Sequence, residues 1–366
     1  MTQAGAPARP EAAAAPGPVA IIGAGSWGTA LAIHLGRRDV AVRLWARDPG
    51  FAAELARGRE NARYLPGHAL PPSVAPTSGA ADALAGARLV IAAVPSRFLA
   101  GVLDAVAAAV PPGAVVVSAT KGIEGRCCRR MSELLAERLP GRPIAVLSGP
   151  SFAREVAAGK PAALVVAAAD DRIAVEVRRA LAAPAFRLYT NQDVIGVEVA
   201  GALKNVVAIA TGLSDSLDLG ENARAALITR GLAEIVRLGE AMGASARTFA
   251  GLAGLGDLVL TCTGSQSRNR ALGLAVGRGQ SLRQAQEGTR MVAEGVETVA
   301  SALGLAQRLG VSMPICAAVA AVLFDGRAVA DALAALLARE PRPEEDVPDS
   351  LTRAAGEPPA AVPTRA

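Results

Sequence analysis

The sequence predicts an α/β protein in which an open, mostly parallel sheet with helices is followed by an all-helical domain. Two observations lead to this prediction. Val19–Gly25 reads VAIIGAG, and several further short apolar runs follow it, each ending on turn residues as buried parallel strands do. From Val194 to about Arg339 the apolar residues instead recur at helical spacing, with no clear strand.

A glycine-rich turn follows the first strand and leads into a helical run, Thr29 to Leu35. Gly23 is expected to make the tight turn, Gly25 to let the backbone approach a pyrophosphate, and Gly28 to allow close packing of helix on strand. The pyrophosphate would lie at the helix N-terminus. A strand before this motif and a helix after it indicate a Rossmann dinucleotide-binding domain.

The second strand, Val40 to Ala46, ends at Arg47. NAD-selective proteins usually place an acid here to bind the ribose hydroxyls, whereas an arginine can bind the 2′-phosphate of NADP. Asp48 follows directly, so the two residues together give a mixed signal. Because of the arginine, we favour NADP or dual use of NADP and NAD. A solvated arginine at a strand end is the alternative.

Later strands are predicted to bring further residues to the same edge of the sheet. Because ligands bind beyond the carboxyl ends of parallel strands, Lys121, Gly149 and Ser151 should lie on the rim that holds the glycine turn. Lys160 is expected at the surface. The predicted strands are Leu89–Val94, Ala114–Ala119, Ile144–Leu147, Ala162–Ala169 and Phe186–Thr190, with one of the last two a candidate antiparallel strand.

Lys204 is the central residue of the helical half. It lies in the helix predicted over Val197–Gly212, where the residues three and four positions away are small and apolar. Desolvation lowers a lysine's pKa and makes it useful for proton transfer near neutral pH. The chain has only two histidines, His34 and His68, both before the middle of the nucleotide domain, and His34, on an apolar helix, is assigned a structural role. A lysine must then carry the proton if the protein is a dehydrogenase. A snorkelling lysine at a helix edge is the alternative.

Two segments further along could complete a site. Gly251–Asp257 reads GLAGLGD and offers one acid, which could accept a hydrogen bond from a substrate hydroxyl or from the Lys204 amine. Ser265–Arg270 reads SQSRNR before a helical run, so a serine near the helix start, Arg268 and Asn269 could bind a phosphate. An ordinary capped helix with exposed arginines explains the second segment equally well.

The composition limits the class of protein. The 366 residues suffice for two domains, expected over residues 19–193 and 194–340, with disordered extensions over 1–18 and 341–366. A net charge of +5 and a pI near 9.4 suggest an anionic small molecule, and the scattered charge argues against nucleic acid. The cysteine spacing fits neither disulfides nor a zinc site, so we expect reduced thiols, a cytoplasmic protein and no metal. No apolar run reaches about 18 residues, so no stable membrane insertion is expected.

Ten segments together carry a resemblance that covers roughly Val19 to Glu340. In chain order they read GAGSWGTA, NARYLPG, VPS, TKGIE, SGPSFAREV, GVEVAGALKNVVAIATG, NARAALITRGLAE, GLAGLGDLVLTC, SRN and EGVET. The chain thereby resembles bacterial NAD(P)-dependent glycerol-3-phosphate dehydrogenase. The resemblance implies a Rossmann domain with an all-helical second domain, as in 6-phosphogluconate dehydrogenase, and reduction of dihydroxyacetone phosphate to sn-glycerol 3-phosphate, a phospholipid precursor. A homodimer is expected, since a helical second domain often supplies a subunit contact.

The resemblance also implies site residues, position by position, with Lys204 as the catalytic acid and base. Residues implied for the cofactor are Gly23, Gly25, Ser26, Trp27, Gly28, Arg47, Tyr64, Lys121, Ala153, Arg268, Val292 and Glu294. Residues implied for the substrate are Lys121, Gly149, Ser151, Lys204, Asp257, Ser267, Arg268 and Asn269. Ser216 and Glu221 depart from the family's common glycine and aspartate, which qualifies local loop geometry only.

Two other functions remain as alternatives at this point. A dehydrogenase of the same layout could act on a non-phosphorylated 3-hydroxy acid, although Lys121 and the SRN segment favour a phosphorylated substrate. A nucleotide-sensing regulator could use the Rossmann half without chemistry. Such a regulator would not need Lys204 and Asp257 to face a cleft.

Overall fold

The N-terminal half forms one eight-stranded sheet in a computed structural model that describes residues 17–125, 127–287 and 293–340. The strand order is β3-β2-β1-β4-β5-β6-β7-β8. The strands are β1 Val19–Ile22, β2 Val42–Trp45, β3 Val74–Thr77, β4 Leu89–Ala92, β5 Val115–Ser118, β6 Ile144–Ser148, β7 Ala162–Ala167 and β8 Phe186–Asn191. The first six pair in parallel, so their carboxyl ends share one edge. Apart from residues 17 and 18, the predicted terminal extensions lie outside the described residues.

Helices cover both faces of this sheet. They are α1 Ser26–Gly36, α2 Pro49–Gly58, α3 Ala80–Leu84, α4 Ser96–Val106, α5 Met131–Arg138, α6 Ala153–Ala157 and α7 Asp171–Leu181. Successive strand residues point to opposite faces, so Val19 and Ile21 join the core under α1, α2 and α7, while Ala20 and Ile22 join the core under α3, α4 and α5. Burial on both faces explains why the central strands β1 and β4 read as unbroken apolar runs.

Three strands differ from the sequence-based prediction. Strand β3 is not predicted, because its sequence VAPT is short and contains Pro76. The structure places it at the sheet edge, where the missing N–H of a proline is tolerated. Strand β7 is antiparallel to β6, and β8 is parallel to β7, so both of these last strands run opposite to the first six.

The second half is helical, as predicted, and from residue 194 onward the described residues contain no strand. Its helices are α8 Val194–Asp215, α9 Gly220–Ala241, α10 Ala246–Phe249, α11 Asp257–Thr263, α12 Arg268–Gly277, α13 Leu282–Glu287, α14 Gly295–Leu309, α15 Pro314–Phe324 and α16 Val329–Leu337. One π-helical turn, Leu252–Gly256, precedes α11. This half therefore packs its elements around helices alone.

Helix α8 is the central element of the helical half. It extends beyond the predicted Val197–Gly212 at both ends, and every residue from Gly196 to Leu213 is buried. By length and composition α8 could cross a membrane, although the sequence analysis found no apolar run of that length. However, 83% of its most apolar 18-residue stretch is buried inside the molecule. Helices α9, α11, α12 and α14 pack around it. Its apolar composition therefore follows from its position in a protein core.

Contacts between the two halves extend well beyond the point where the chain passes from one to the other. Ile123, which follows β5, is buried in the core of the helical half. Buried Glu198 of α8 accepts hydrogen bonds from the Ser132 N–H at 2.7 Å and from Arg130 Nη1 at 2.9 Å. The segment that begins at Lys121 is therefore held by both halves.

Candidate active site

The carboxyl edge of the sheet and the helical half enclose a cleft of about 960 Å³. Open parallel sheets bind ligands at this edge. Most residues singled out from the sequence line the cleft, although they come from many separate segments. They are Gly23, Gly25, Ser26, Trp27, Arg47, Tyr64, Lys121, Ser151, Ala153, Lys204, Asp257, Ser267, Arg268, Asn269 and Glu294.

Among the described residues, two of the predicted site residues do not line the cleft. Gly28 packs beneath the turn, where a Cβ atom would overlap the carbonyl oxygen of Gly23. Gly149 has a φ of 132° and turns its carbonyl oxygen toward Lys121 Nζ, 3.1 Å away. Its part is therefore to shape the turn and hold a lysine. Val292 lies outside the described residues.

The glycine turn fits a dinucleotide. Gly23 has a φ of 109°, which favours glycine. A Cβ atom on Gly25 would meet nothing within 4 Å, so protein packing does not require a glycine there and a ligand can come close. Helix α1 begins at Ser26 without a side-chain cap, and Trp27 Nε1 is buried with no hydrogen-bond partner among the described residues. These groups suit the pyrophosphate and adjoining polar atoms of NAD or NADP.

Arg47 and Asp48 differ in their local roles at the end of β2. The Asp48 side chain accepts a hydrogen bond from the Gly50 N–H at 2.9 Å and thereby caps α2. Arg47 is exposed at the cleft. The carboxylate is therefore committed to the helix, whereas the guanidinium is available to a ligand.

Two lysines meet one carboxylate deep in the cleft. Asp257 Oδ2 lies 2.6 Å from Lys121 Nζ, and its Oδ1 lies 3.3 Å from Lys204 Nζ. The side chains of Asp257 and Lys204 are only 2% and 7% exposed. Lys121, from the sheet half, and Lys204, from α8, thus converge on an acid from α11.

Thr261 is a contact of Lys204 that the sequence did not reveal. The Lys204 Nζ donates to Thr261 Oγ1 at 2.7 Å, and the threonine hydroxyl lies 2.6 Å from the Asp257 carbonyl oxygen, to which it can donate. Thr261 stands four residues after Asp257 on the same helix, so that spacing is the signal that could have found it.

The surroundings of Lys204 bring its pKa into a range that suits proton transfer. Burial lowers the pKa of Lys204 to about 8, while the charge of Asp257 opposes this shift and that of Lys121 adds to it. Burial also raises the pKa of Glu294, another residue of the cleft, and the nearby cations, Arg268 first, oppose this. An amine with a pKa near 8 can donate and accept a proton around neutral pH.

The SRN segment forms the start of α12. Ser267 caps this helix by accepting a hydrogen bond from the Arg270 N–H at 3.3 Å. Asn269 is buried, donates to Asn205 Oδ1 at 2.9 Å and accepts from the Gly295 N–H at 3.0 Å. Asn205 directly follows Lys204 on α8 and is not among the predicted site residues. The structure shows that it orients the Asn269 amide.

Histidine does not contribute to the cleft in the described part of the chain. His34 contacts the Leu181 carbonyl oxygen at 2.7 Å, and its ring centroid lies 4.3 Å from that of Phe186. Burial lowers the pKa of His34. Its packing matches the structural role predicted for it, and the ionisable groups of the cleft that could move a proton are lysines, carboxylates and Tyr64.

Two models of one protein family match this chain. The model described as NAD-dependent glycerol-3-phosphate dehydrogenase N-terminus matches residues 18–174. The model described as NAD-dependent glycerol-3-phosphate dehydrogenase C-terminus matches residues 193–334. The matches cover both the sheet half and the helical half.

Individual proteins with the same description are similar over nearly their whole length. Glycerol-3-phosphate dehydrogenase [NAD(P)+] of Geobacter metallireducens is 49% identical over 330 residues, which cover 89% of this chain and 98% of the relative. The Corynebacterium glutamicum protein is 50% identical over 329 residues, covering 89% and 99%. The crystal structure of glycerol-3-phosphate dehydrogenase from Coxiella burnetii has a TM-score of 0.86 and 40% identity, covering 88% of this chain and 99% of that one.

Proposed function

The chain belongs to the NAD-dependent glycerol-3-phosphate dehydrogenase family, and from this premise we propose how its cleft works on substrate and cofactor. The enzyme reduces dihydroxyacetone phosphate to sn-glycerol 3-phosphate with NAD(P)H. The observation that carries the proposed mechanism is the convergence of Lys204, Asp257 and Lys121 between the glycine turn and the start of α12. We further propose that the product feeds glycerophospholipid synthesis.

Lys204 is the proposed acid and base. When bound, NAD(P)H supplies a hydride to the C2 carbonyl carbon of the substrate. Lys204 then donates a proton from Nζ to the carbonyl oxygen as negative charge develops there. Asp257 and Thr261 hold the amine at 3.3 and 2.7 Å, so its direction is set before the substrate arrives. Lys121 adds a second positive charge that stabilises the developing alkoxide.

The start of α12 is the proposed phosphate site. Ser267, Arg268 and Asn269 offer a hydroxyl, a guanidinium and an amide at a helix N-terminus, which favours an anion. Asn269 uses its carbonyl oxygen and one N–H within the protein, which leaves the second N–H for the substrate. Gly149 and Ser151 complete the proposed substrate set through the turn that supports Lys121.

The cofactor would lie along the sheet edge. Its proposed contacts are Gly23, Gly25, Ser26, Trp27, Arg47, Tyr64, Lys121, Ala153, Arg268 and Glu294, with Gly28 shaping the turn and Val292 outside the described residues. We propose a preference for NADPH, since Asp48 is engaged as a helix cap and Arg47 is exposed at the cleft. The 2′-phosphate of NADPH would form a charge-assisted hydrogen bond with this guanidinium, whereas the neutral 2′-hydroxyl of NADH would not form an ion pair with it.

Assembly and location are further parts of the proposal. An apolar groove of about 630 Å³ runs between α9, α15 and α16, and the nearby Leu337 is 76% exposed, which supports a homodimer through the helical half. The four cysteines are free thiols, which suits the cytoplasm. We place the boundary between the two functional halves, residues 19–193 and 194–340, at the start of α8.

The test is the oxidation of NADPH and NADH with dihydroxyacetone phosphate, compared with dihydroxyacetone plus free phosphate. The proposal expects rapid oxidation only with the phosphorylated ketone, and faster turnover with NADPH. Equal rates with the two ketones would reject the phosphate site at α12. A preference for NADH would reject the role of Arg47.

A further inference from the structure

The catalytic helix α8 and the phosphate helix α12 touch backbone to backbone. A Cβ atom on Gly212 would overlap the carbonyl oxygen of Arg270, and one on Gly273 would overlap that of Ile209. Contact this close leaves no side-chain layer between the helices to absorb a shift. The placement of Arg268 and Asn269 relative to Lys204 therefore depends on how α12 is fixed against α8.

An ion pair fixes α12 at the far end of α8. Asp215 Oδ2 lies 2.6 Å from Arg270 Nε, and the side chains of the two residues are 10% and 24% exposed. Arg270 directly follows the proposed phosphate-binding residues and belongs to the first turn of α12. Asn205 holds the same turn from the other side through Asn269.

We propose that Asp215 and Arg270 are positioning residues for the reaction, which hold the phosphate-binding turn of α12 in register with Lys204. This inference rests on the proposed phosphate site. Neither residue lines the cleft, so each acts through Arg268 and Asn269. Misplacement of a substrate-holding group by about 1 Å can reduce turnover roughly a hundredfold.

Arg224 provides a matched control, because it binds the same carboxylate from the opposite side. Its Nη2 and Nε lie 2.8 and 3.0 Å from Asp215 Oδ1, and it also pairs with Glu221. Arg224 belongs to α9, which contributes no residue to the cleft in the described part of the chain. Removing Arg224 tests the loss of an ion pair at Asp215 without freeing α12.

The experiment compares kcat/KM for dihydroxyacetone phosphate with kcat/KM for dihydroxyacetone in the full-length enzyme. The ratio of these two kcat/KM values measures how much the substrate's phosphate group contributes to the reaction. Arg270→Met should reduce the ratio about tenfold or more, with the dihydroxyacetone rate and the Kd for NADPH unchanged. Asp215→Asn should act in the same direction, Arg270→Lys should recover part of the ratio, and Arg224→Met should leave it unchanged.

Two outcomes would overturn the inference. One is a normal ratio in Arg270→Met, and the other is an equal loss with both ketones, which would indicate a general structural role. If Arg270→Met does not fold, Asp215→Asn provides the same readout, because it removes the charge that pairs with Arg270. Arg268→Met tests the underlying phosphate site separately. A wild-type ratio in Arg268→Met would reject the phosphate site. A strongly reduced ratio in Arg268→Met together with a wild-type ratio in Arg270→Met would reject only the positioning role of Arg270.

Discussion

Replacing Lys204 by methionine should separate catalysis from stability. Methionine keeps most of the apolar stem and removes the ammonium, so the packing of α8 is preserved. General acid catalysis contributes about a hundredfold to ten-thousandfold, and we expect turnover to fall by that factor. Binding of NADPH should be unchanged, because the glycine turn and Arg47 are untouched.

The same substitution should make the protein more stable. Burial lowers the pKa of Lys204 from 10.5 to about 8, which means that the ammonium costs roughly 3 kcal/mol of folding free energy at neutral pH. Asp257 keeps Lys121 as a partner at 2.6 Å, so it is not left as an unpaired charge. We therefore expect a gain of about 1 to 3 kcal/mol. The gain should disappear as the pH rises from about 8 to 10.5, where the wild-type lysine loses its proton in both states.

Steady-state oxidation of NADPH by dihydroxyacetone phosphate measures the first effect, and chemical denaturation measures the second. Lys160→Met is the matched control, because Lys160 is exposed and should change neither quantity. Turnover within tenfold of the wild type would remove Lys204 from the proposed mechanism. Reduced stability together with reduced turnover would indicate that the lysine mainly supports the fold.

Three further predictions follow from charged groups. Because reduction needs the Lys204 ammonium, kcat/KM for reduction should fall tenfold per pH unit above about 8 while oxidation of glycerol 3-phosphate rises, and flat profiles would contradict this. Arg47→Ala should raise the KM for NADPH by about tenfold to a hundredfold and spare NADH, and an equal effect on both cofactors would be evidence against a 2′-phosphate contact. Glu234 caps α15 through the N–H groups of Ile315 and Cys316 at 2.6 and 3.2 Å, and burial raises its pKa to about 7. Between about pH 4.5 and 7 Glu234 then holds a proton in the folded protein that it has lost in the unfolded chain, so its contribution to stability should fall as the pH rises through that window. Denaturation curves of Glu234→Gln should therefore depend less on pH there than those of the wild type.

Many features of the fold were readable from local sequence patterns. The glycine motif needs residues of one type at short spacing, and the structure places Gly23 and Gly25 between β1 and α1 and Gly28 in the first turn of α1. The helical character of the described residues between 194 and 340 follows from apolar spacing in the same way. Strand β3 escaped prediction because an edge strand with Pro76 lacks the apolar signal of a buried strand. The reversal of both β7 and β8 depends on pairing between distant strands, which strand composition does not reveal.

The candidate site likewise has features that the sequence reveals and features that only the tertiary structure reveals. The sequence by itself determined which residues have unusual chemistry for their surroundings, such as Lys204 in an apolar helix and Arg268 and Asn269 at a helix start. Only the tertiary structure decided that Asp257 lies between two lysines, that Thr261 completes the contacts of Lys204, and that Asp215 ties α12 to α8. The physical reason is the separation along the chain between the residues that interact. Helix and turn patterns arise from neighbours within a few residues, whereas the pKa of Lys204 and the placement of the phosphate helix arise from groups dozens of residues away, brought together by core packing.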